Sequence, residues 1–303
     1  MKRIKSIKEK KKDSLYGYAF ISPFFILFSI FGLFPIIFSF YLSFQRWNGL
    51  GEMEFVGLRN FELVLADPFF WKAMYNTFVI ALMSTLPQLI IAFLLAFALN
   101  STYVKMKGFF RVSFFLPNVT SIVAVAVVFG TLFTNSSTGL VNSFIGLFGF
   151  EPVNWGTSEW GVKWAISAMI FWRWVGYNTI IYLAGLQSIS QDLYEAAKID
   201  GASVRQQIMH ITIPMMKPVI IFTVFISTIG SLQLFTEPLV FIGTTLREEG
   251  VTVVLYLYRE AFSNNAFGTA SATAVILFFV IIVMSVTNLL IANRLGNSRK
   301  KVS

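Results

Sequence analysis

The sequence predicts an all-α membrane protein with six transmembrane helices, and three observations carry that expectation. The chain of 303 residues is 56% hydrophobic, with mean hydropathy +0.69, above the roughly 45–50% apolar content of soluble domains. Its apolar residues gather into six long runs almost free of charge, each close to the ~20 residues a helix needs to cross a hydrocarbon core. Lys and Arg collect at the ends of those runs, where membrane topology is set.

The first span is Tyr18 to Phe44, with Pro23 and Pro35 inside it. The basic stretch Lys2–Lys12 followed by an apolar run resembles a signal peptide, but no charge occurs between Asp13 and Arg46. That length suits a permanent helix rather than the 7–15-residue core of a cleaved leader. The second span is Ala73 to Leu99 around Pro87, and the third is Val112 to Phe133, with Pro117 in its first turns. The fourth is Trp164 to Leu186, the fifth Val219 to Thr236, shortest of the six, and the sixth Ala266 to Ile291. Proline is tolerated in such helices where neighbours satisfy the freed carbonyls, so kinked, packed helices are expected. Residues 1–17 and 293–303 form basic tails around a membrane domain of residues 18–292.

With the N-terminus in the cytoplasm, seventeen Lys and Arg fall in inside segments and five in outside loops; Lys163 and Arg173 lie at or within the fourth span. Both termini are therefore expected in the cytoplasm. Trp47, Trp71, Trp155 and Trp160 in the outside loops suit the membrane interface.

Several function classes drop out. The net charge of +9 comes from residues flanking the spans, so anionic lipid headgroups rather than nucleic acid are the expected basic-patch partner. The chain has no Cys and one histidine, His210, which excludes thiol chemistry, disulfides and a multi-histidine metal site. No Gly precedes a Lys, so the chain has no phosphate-binding Walker loop of its own. His210 is expected to be solvated or at an interface rather than a pH switch.

The proposed spans hold no Asp or Glu, with Glu237 just past the fifth; ion-driven transporters often need such carboxylates. Arg173 lies about ten residues into the fourth span, where an unpaired charge costs about 2.5–3.5 kcal/mol on insertion scales. It either lines a polar cavity, snorkels to the headgroups or pairs with a neighbour. Trp174, Tyr177 and Asn178 share one helical face, as do Ser227 and Ser231. Such groups bind sugars, through hydroxyl and amide hydrogen bonds and rings stacked on C–H faces; Gln233 and Thr228 lie on other faces. Ordinary helix packing explains the same residues equally well.

The loop between the fourth and fifth spans, 191–214, carries the most information. It reads as two short helices. The first follows Ser190 as N-cap, with Asp192 and Glu195 near its positive end, and stops at Gly201. The second starts at Ser203 with Gln206 three residues on, a capping box, and is expected to end at Pro214. Leu193, Ala196 and Ala197 share a face on which another protein can approach closely, flanked by Asp192 and Glu195. A helix lying on lipid headgroups is the other reading.

The spacing Glu195-Ala196-Ala197, Gly201, Ile211, Ile213, Pro214 resembles the signature loop of binding-protein-dependent ABC transporter permeases, with Ile213 in place of the usual Leu. The resemblance covers roughly residues 15–293 and includes Gly57-Leu-Arg-Asn-Phe61, Asn76-Thr-Phe, Phe114-Phe-Leu-Pro117 and Ala184-Gly-Leu-Gln187. It points to the carbohydrate-uptake branch and the maltose-type first permease subunit. The outer loop near Gly243-Thr-Thr-Leu246 departs from the Gly-Gly-Pro of many relatives. The resemblance implies the ABC importer permease fold, with residues 191–214 as a coupling helix that docks on an ATPase subunit. Glu195, Ala196, Ala197, Gly201 and Pro214 are the coupling residues it implies. Trp174, Tyr177, Asn178, Ser227 and Ser231 are the candidates for the substrate path. It further implies a second permease subunit, two ATPase subunits that bind the ATP, an extracellular solute-binding protein, and a bacterial or archaeal cytoplasmic membrane. The chain itself would carry no cofactor and no metal, and would perform no covalent chemistry. An ion-coupled secondary transporter of small polar solutes is the alternative, and a non-transporting scaffold a third reading.

Overall fold

The structure is a computed structural model that describes residues 7–101, 103–243 and 247–297. The outermost tail residues, Lys2, Arg3, Lys5, Arg299, Lys300 and Lys301, and the Thr244–Leu246 part of the departing loop lie outside the described residues.

The chain divides into two compact units. The first comprises residues up to Ala66 and Glu260–Ile276. Helix α1 (Ile7–Phe28) passes through a π-turn (Ser29–Leu33) into α2 (Phe34–Leu42). The helix thus begins well before Tyr18, inside the expected basic tail. Its phenylalanines, such as Phe20, Phe24 and Phe31, are exposed, as suits a helix whose backbone is satisfied internally and whose side chains meet an apolar solvent. Strands β1 (Gln45–Arg46) and β2 (Glu54–Phe55) then pair antiparallel ahead of α3 (Arg59–Ala66). The buried Asn60 amide donates to the carbonyls of Ser43 and Gln45, at 2.9 and 2.8 Å, and so fixes α3 against the end of α2.

The second unit, Asp67–Arg259 with Leu277 onward, holds the long helices. They are α4 (Pro68–Asn100), α5 (Lys107–Val119), α6 (Ile122–Leu132), α7 (Leu140–Gly146), α8 (Glu159–Gln187), α9 (Gln191–Ile199), α10 (Val204–Gln207), a π-turn (Ile208–Thr212), α11 (Ile213–Leu232) and α12 (Thr236–Ile242). Helices α13 (Val253–Phe262) and α14 (Phe267–Asn297) span both units.

The core of this unit is α4 against α8. Along α4, Ala73, Thr77, Ala81, Ser84, Gln88, Ala92 and Ala96 are buried at intervals of three or four, a stripe small at every position but Gln88 that lets two helix backbones approach closely. Asp67 caps α4 by accepting from the Phe69 amide, and Pro68 occupies the first turn, where its missing N–H is not needed. On α8, Gly176 faces α5 so closely that an added Cβ would fall on the Phe114 carbonyl.

The structure corrects three expectations. The third span is not one helix: α5 and α6 meet at a bend of 94°. Pro117 has no amide to donate to the turn before it, and at the end of α5 the Thr120 hydroxyl donates back to the Leu116 carbonyl at 2.8 Å, a bond that bends helices. The second elbow helix does not end at Pro214. It continues through the π-turn into α11 as one run, Val204–Leu232. In the π-turn Ile213 donates to the Ile208 carbonyl; Pro214 then sits in the first turn of α11, where its missing donor costs little. The fifth span therefore begins earlier than expected and stops at Leu232, ahead of Thr236.

By length and apolarity, four helices among the described residues suffice to cross a membrane, or five if the bent pair is one span. The expected fourth span lies in α8, 29 residues long. Arg173, Asn178 and the Trp and Tyr residues lower its hydropathy, yet α8 has many buried positions, Asn178 and Thr179 included. A helix surrounded by protein does not need an apolar surface all round.

Candidate functional site

The polar face of α8 opens on a cavity of about 470 Å³. The wall is built by α4, α8, α11 and the start of α12, with Ile122 from α6. All five substrate-path candidates line it: Trp174, Tyr177 and Asn178 from α8, Ser227 and Ser231 from α11. The indole of Trp174 and the ring of Tyr177 meet edge to face, with centroids 5.7 Å apart. The Asn178 amide donates to the Trp174 carbonyl at 3.3 Å, and the Ser231 hydroxyl to that of Thr228 at 3.0 Å. Gln233 also lines the cavity. Thr228 does not: its hydroxyl donates to the Val224 carbonyl and accepts from Asn288 of α14, which ties α11 to α14.

Arg173 both lines the cavity and has a partner. Its Nη1 lies 2.6 Å from Oε1 of Glu237, and the two side chains are 13% and 9% exposed. The Arg173 Nε is buried without a hydrogen-bond partner, and the guanidinium carbon sits 5.9 Å from the Trp174 ring. Expecting membrane-depth helices without acids missed Glu237, because α11 stops at Leu232 and the bend at Gln233–Phe235 folds α12 back against α8. No periodicity in the sequence signals that bend. Gln88 and Thr85 of α4 were missed as well; their 3.6-residue spacing reads as packing. Arg173 and Glu237 carry opposite charges, and the remaining lining residues are neutral. The wall thus offers hydroxyl, amide and indole groups and aromatic faces, a surface suited to an uncharged polar ligand.

Contacts beside the bend hold it in place. Thr252 donates to the Leu234 carbonyl at 2.7 Å, and the Val253 amide donates to the Thr77 hydroxyl at 3.0 Å. Asn76 donates to the carbonyls of Glu248 and Val251 at 2.6 and 3.0 Å. Nearby, Glu159 accepts from Lys72 at 2.6 Å and from the fully buried Lys163 at 3.2 Å. Lys72 first and then Lys163 hold the Glu159 carboxyl below the usual carboxylate range.

The elbow 191–214 forms much as its residues dictate. Ser190 caps α9 through the Asp192 amide, and Ser203 with Gln206 forms the reciprocal capping box. The end of α9 is a Schellman turn. Gly201 has φ +77°, its amide donates to the Lys198 carbonyl, and the Ala202 amide donates to that of Ala197. No residue of α9 is buried: Leu193 is 43% and Ile199 87% exposed, and Glu195 and Ala196 are exposed. Tyr194 and Ala197 are partly covered. His210 is exposed, with Nδ1 3.0 Å from the Gln206 carbonyl oxygen.

Residues 63–296 match the family described as binding-protein-dependent transport system inner membrane component. The arabinooligosaccharides transport system permease protein of Bacillus subtilis is 37% identical over 273 residues, which is 90% of this chain and 87% of that protein. The lactose transport system permease protein of Rhizobium radiobacter is 37% identical over 284 residues, covering 93% and 94%. A crystal structure of a bacterial ABC transporter involved in the import of the acidic polysaccharide alginate contains a chain of similar fold. It has TM-score 0.81 and 27% identity, covering 95% of this chain and 98% of that one.

Proposed function

Because this chain belongs to the binding-protein-dependent transport system inner membrane components, we propose that it is a permease subunit of an ATP-driven importer of a sugar or oligosaccharide. It forms the translocation path by alternating access. It pairs with a second permease subunit; two ATPase subunits bind on the side of the elbow, and a solute-binding protein delivers the cargo from outside. Both termini and residues 191–214 then face the cytoplasm. Relatives named for arabinooligosaccharide and lactose transport support the sugar class, and a related transporter solved with an alginate-pentasaccharide-bound periplasmic protein supports the binding-protein partner.

The observation that carries the reading is the gathering of Trp174, Tyr177, Asn178, Ser227 and Ser231 on one cavity wall. In this reading, hydroxyl and amide groups exchange hydrogen bonds with sugar hydroxyls while the aromatic rings cover the C–H faces. Glu195, Ala196, Ala197 and Gly201 present the ATPase contact, and Pro214 sets the start of the helix behind it. ATP bound by the ATPase subunits closes their dimer and moves α9, and the cavity changes sides.

Uptake of a labelled oligosaccharide by the reconstituted transporter tests this. Trp174→Ala and Ser231→Leu are expected to lower uptake while the subunits still assemble. Unchanged affinity and rate in both would remove the cavity from the path. Uptake that continues without ATPase subunits and follows an ion gradient would establish an ion-coupled transporter instead.

A further inference from the structure

We propose that Tyr194 is a positioning residue for transport, fastening α9 to the base of α11 so that a displacement of the elbow reaches the cavity wall as the movement of one body. This rests on the reading that α9 docks an ATPase subunit, and adds what lies behind that contact.

Two routes lead from α9 to α11. The route along the chain passes Gly201, the four-residue α10 and the π-turn. Gly201 has no side chain to restrict its rotation, and nothing lies within 4 Å of where its Cβ would be. A π-turn interrupts the regular i→i+4 ladder. Both are places where a helix pivots, so this route transmits force poorly.

The second route bypasses them. The Tyr194 hydroxyl lies 2.9 Å from the hydroxyl of Thr212, the last residue of the π-turn. Thr212 is buried, and its hydroxyl also lies 3.5 Å from the Gln207 carbonyl oxygen. Gln207 in turn donates to the Ala202 carbonyl at 2.9 Å, closing the elbow on itself. The Tyr194 ring packs on a buried cluster containing Leu186 of α8, Ile189 just past its end and Met216 of α11. Beyond Met216, α11 continues as one helix, past Pro218 near its start, to Thr223, Ser227 and Ser231 on the cavity wall. Thr223 also donates to the Tyr182 hydroxyl at 2.7 Å, so the same helix is held to α8. Tyr194 thus joins α9 to the first residue before α11 and skips both pivots.

The test uses the assembled transporter, with its ATPase subunits, in lipid nanodiscs. Spin labels on Gln191→Cys and Phe225→Cys report the α9–α11 separation, in a chain that has no native Cys. Gln191 lies opposite Leu193, Ala196 and Ala197 on α9 and one turn from Glu195. The separation is read with and without the magnesium complex of a non-hydrolysable ATP analogue. With Tyr194 and Thr212 intact, the same separation is expected in both states. In Tyr194→Phe or Thr212→Val, which keep shape and lose the bond, the separation should move or broaden when the nucleotide binds. A separation that changes with nucleotide in the unaltered chain overturns the proposal, as do variants that hold it constant. ATPase co-purification is read separately. Tyr194→Phe retains it, and its loss there would make Tyr194 a docking contact and overturn the tether. Full co-purification together with normal uptake in Gly201→Leu would instead sink the docking reading on which the tether depends.

Discussion

At the scale of single residues, the Arg173–Glu237 pair supplies the charges on the cavity wall. Two charges out of water are tolerated because each is the other's counter-ion, and removing one partner leaves the other uncompensated. Glu237→Gln should destabilise the protein by about 3 kcal/mol, the lower end for a buried pair because one side opens on the cavity; thermal unfolding in detergent measures it. The double change Arg173→Met with Glu237→Leu should recover most of that loss, and a double variant no more stable than the single would show that the charges were not the cause. Glu159 gives a pH prediction. Its carboxyl is lowered by Lys72 and Lys163, so its pairing stabilises the folded state above the ordinary carboxylate range and is lost as pH falls through the lowered value. Glu159→Gln should therefore shift the acid limb of unfolding towards a weaker pH dependence, and an unchanged acid limb would show that the pairing adds nothing.

At the scale of elements, two glycines do different work. Gly176 is a contact residue: its missing Cβ is the space that the Phe114 carbonyl of α5 occupies. Gly176→Ala should force α5 away from α8 and cost about 1–3 kcal/mol as an overpacked interface, seen as a lower unfolding temperature. Gly201 is a conformational residue. Its φ of +77° is open to glycine and costs an ordinary L-residue about 1–2 kcal/mol. Gly201→Leu should leave the protein in the membrane but detach or uncouple the ATPase, because the Schellman turn that sets the angle of α9 is lost. Normal co-purification together with normal uptake would refute that.

At the scale of the whole molecule, the excess of basic residues on one side of the spans predicts the orientation. Single cysteines introduced at Lys198 and at Leu50 should react with a membrane-impermeant maleimide from opposite sides, Lys198 only from the cytoplasm. Labelling of Lys198→Cys from outside in intact cells would reverse the topology and with it the proposed coupling.

The elements that depend on neighbours in sequence were legible beforehand. The N-caps Ser190 and Ser203, the turn at Gly201, the apolar runs and the shared face of Trp174, Tyr177 and Asn178 follow from spacing and local hydrogen bonding. So does family membership, because the elbow's residue types sit at fixed offsets. Tertiary structure decided the rest. The bend between α5 and α6, the π-turn that carries the helix past Pro214, the fold of α12 that brings Glu237 to Arg173, and the Tyr194–Thr212 contact join residues whose sequence separation carries no periodic signal. Local propensity fixes which segments are helices and which faces are polar. Which polar faces meet depends on helix crossings set by small residues such as Gly176 and the stripe on α4, and on where a helix breaks, and those are properties of the packed chain.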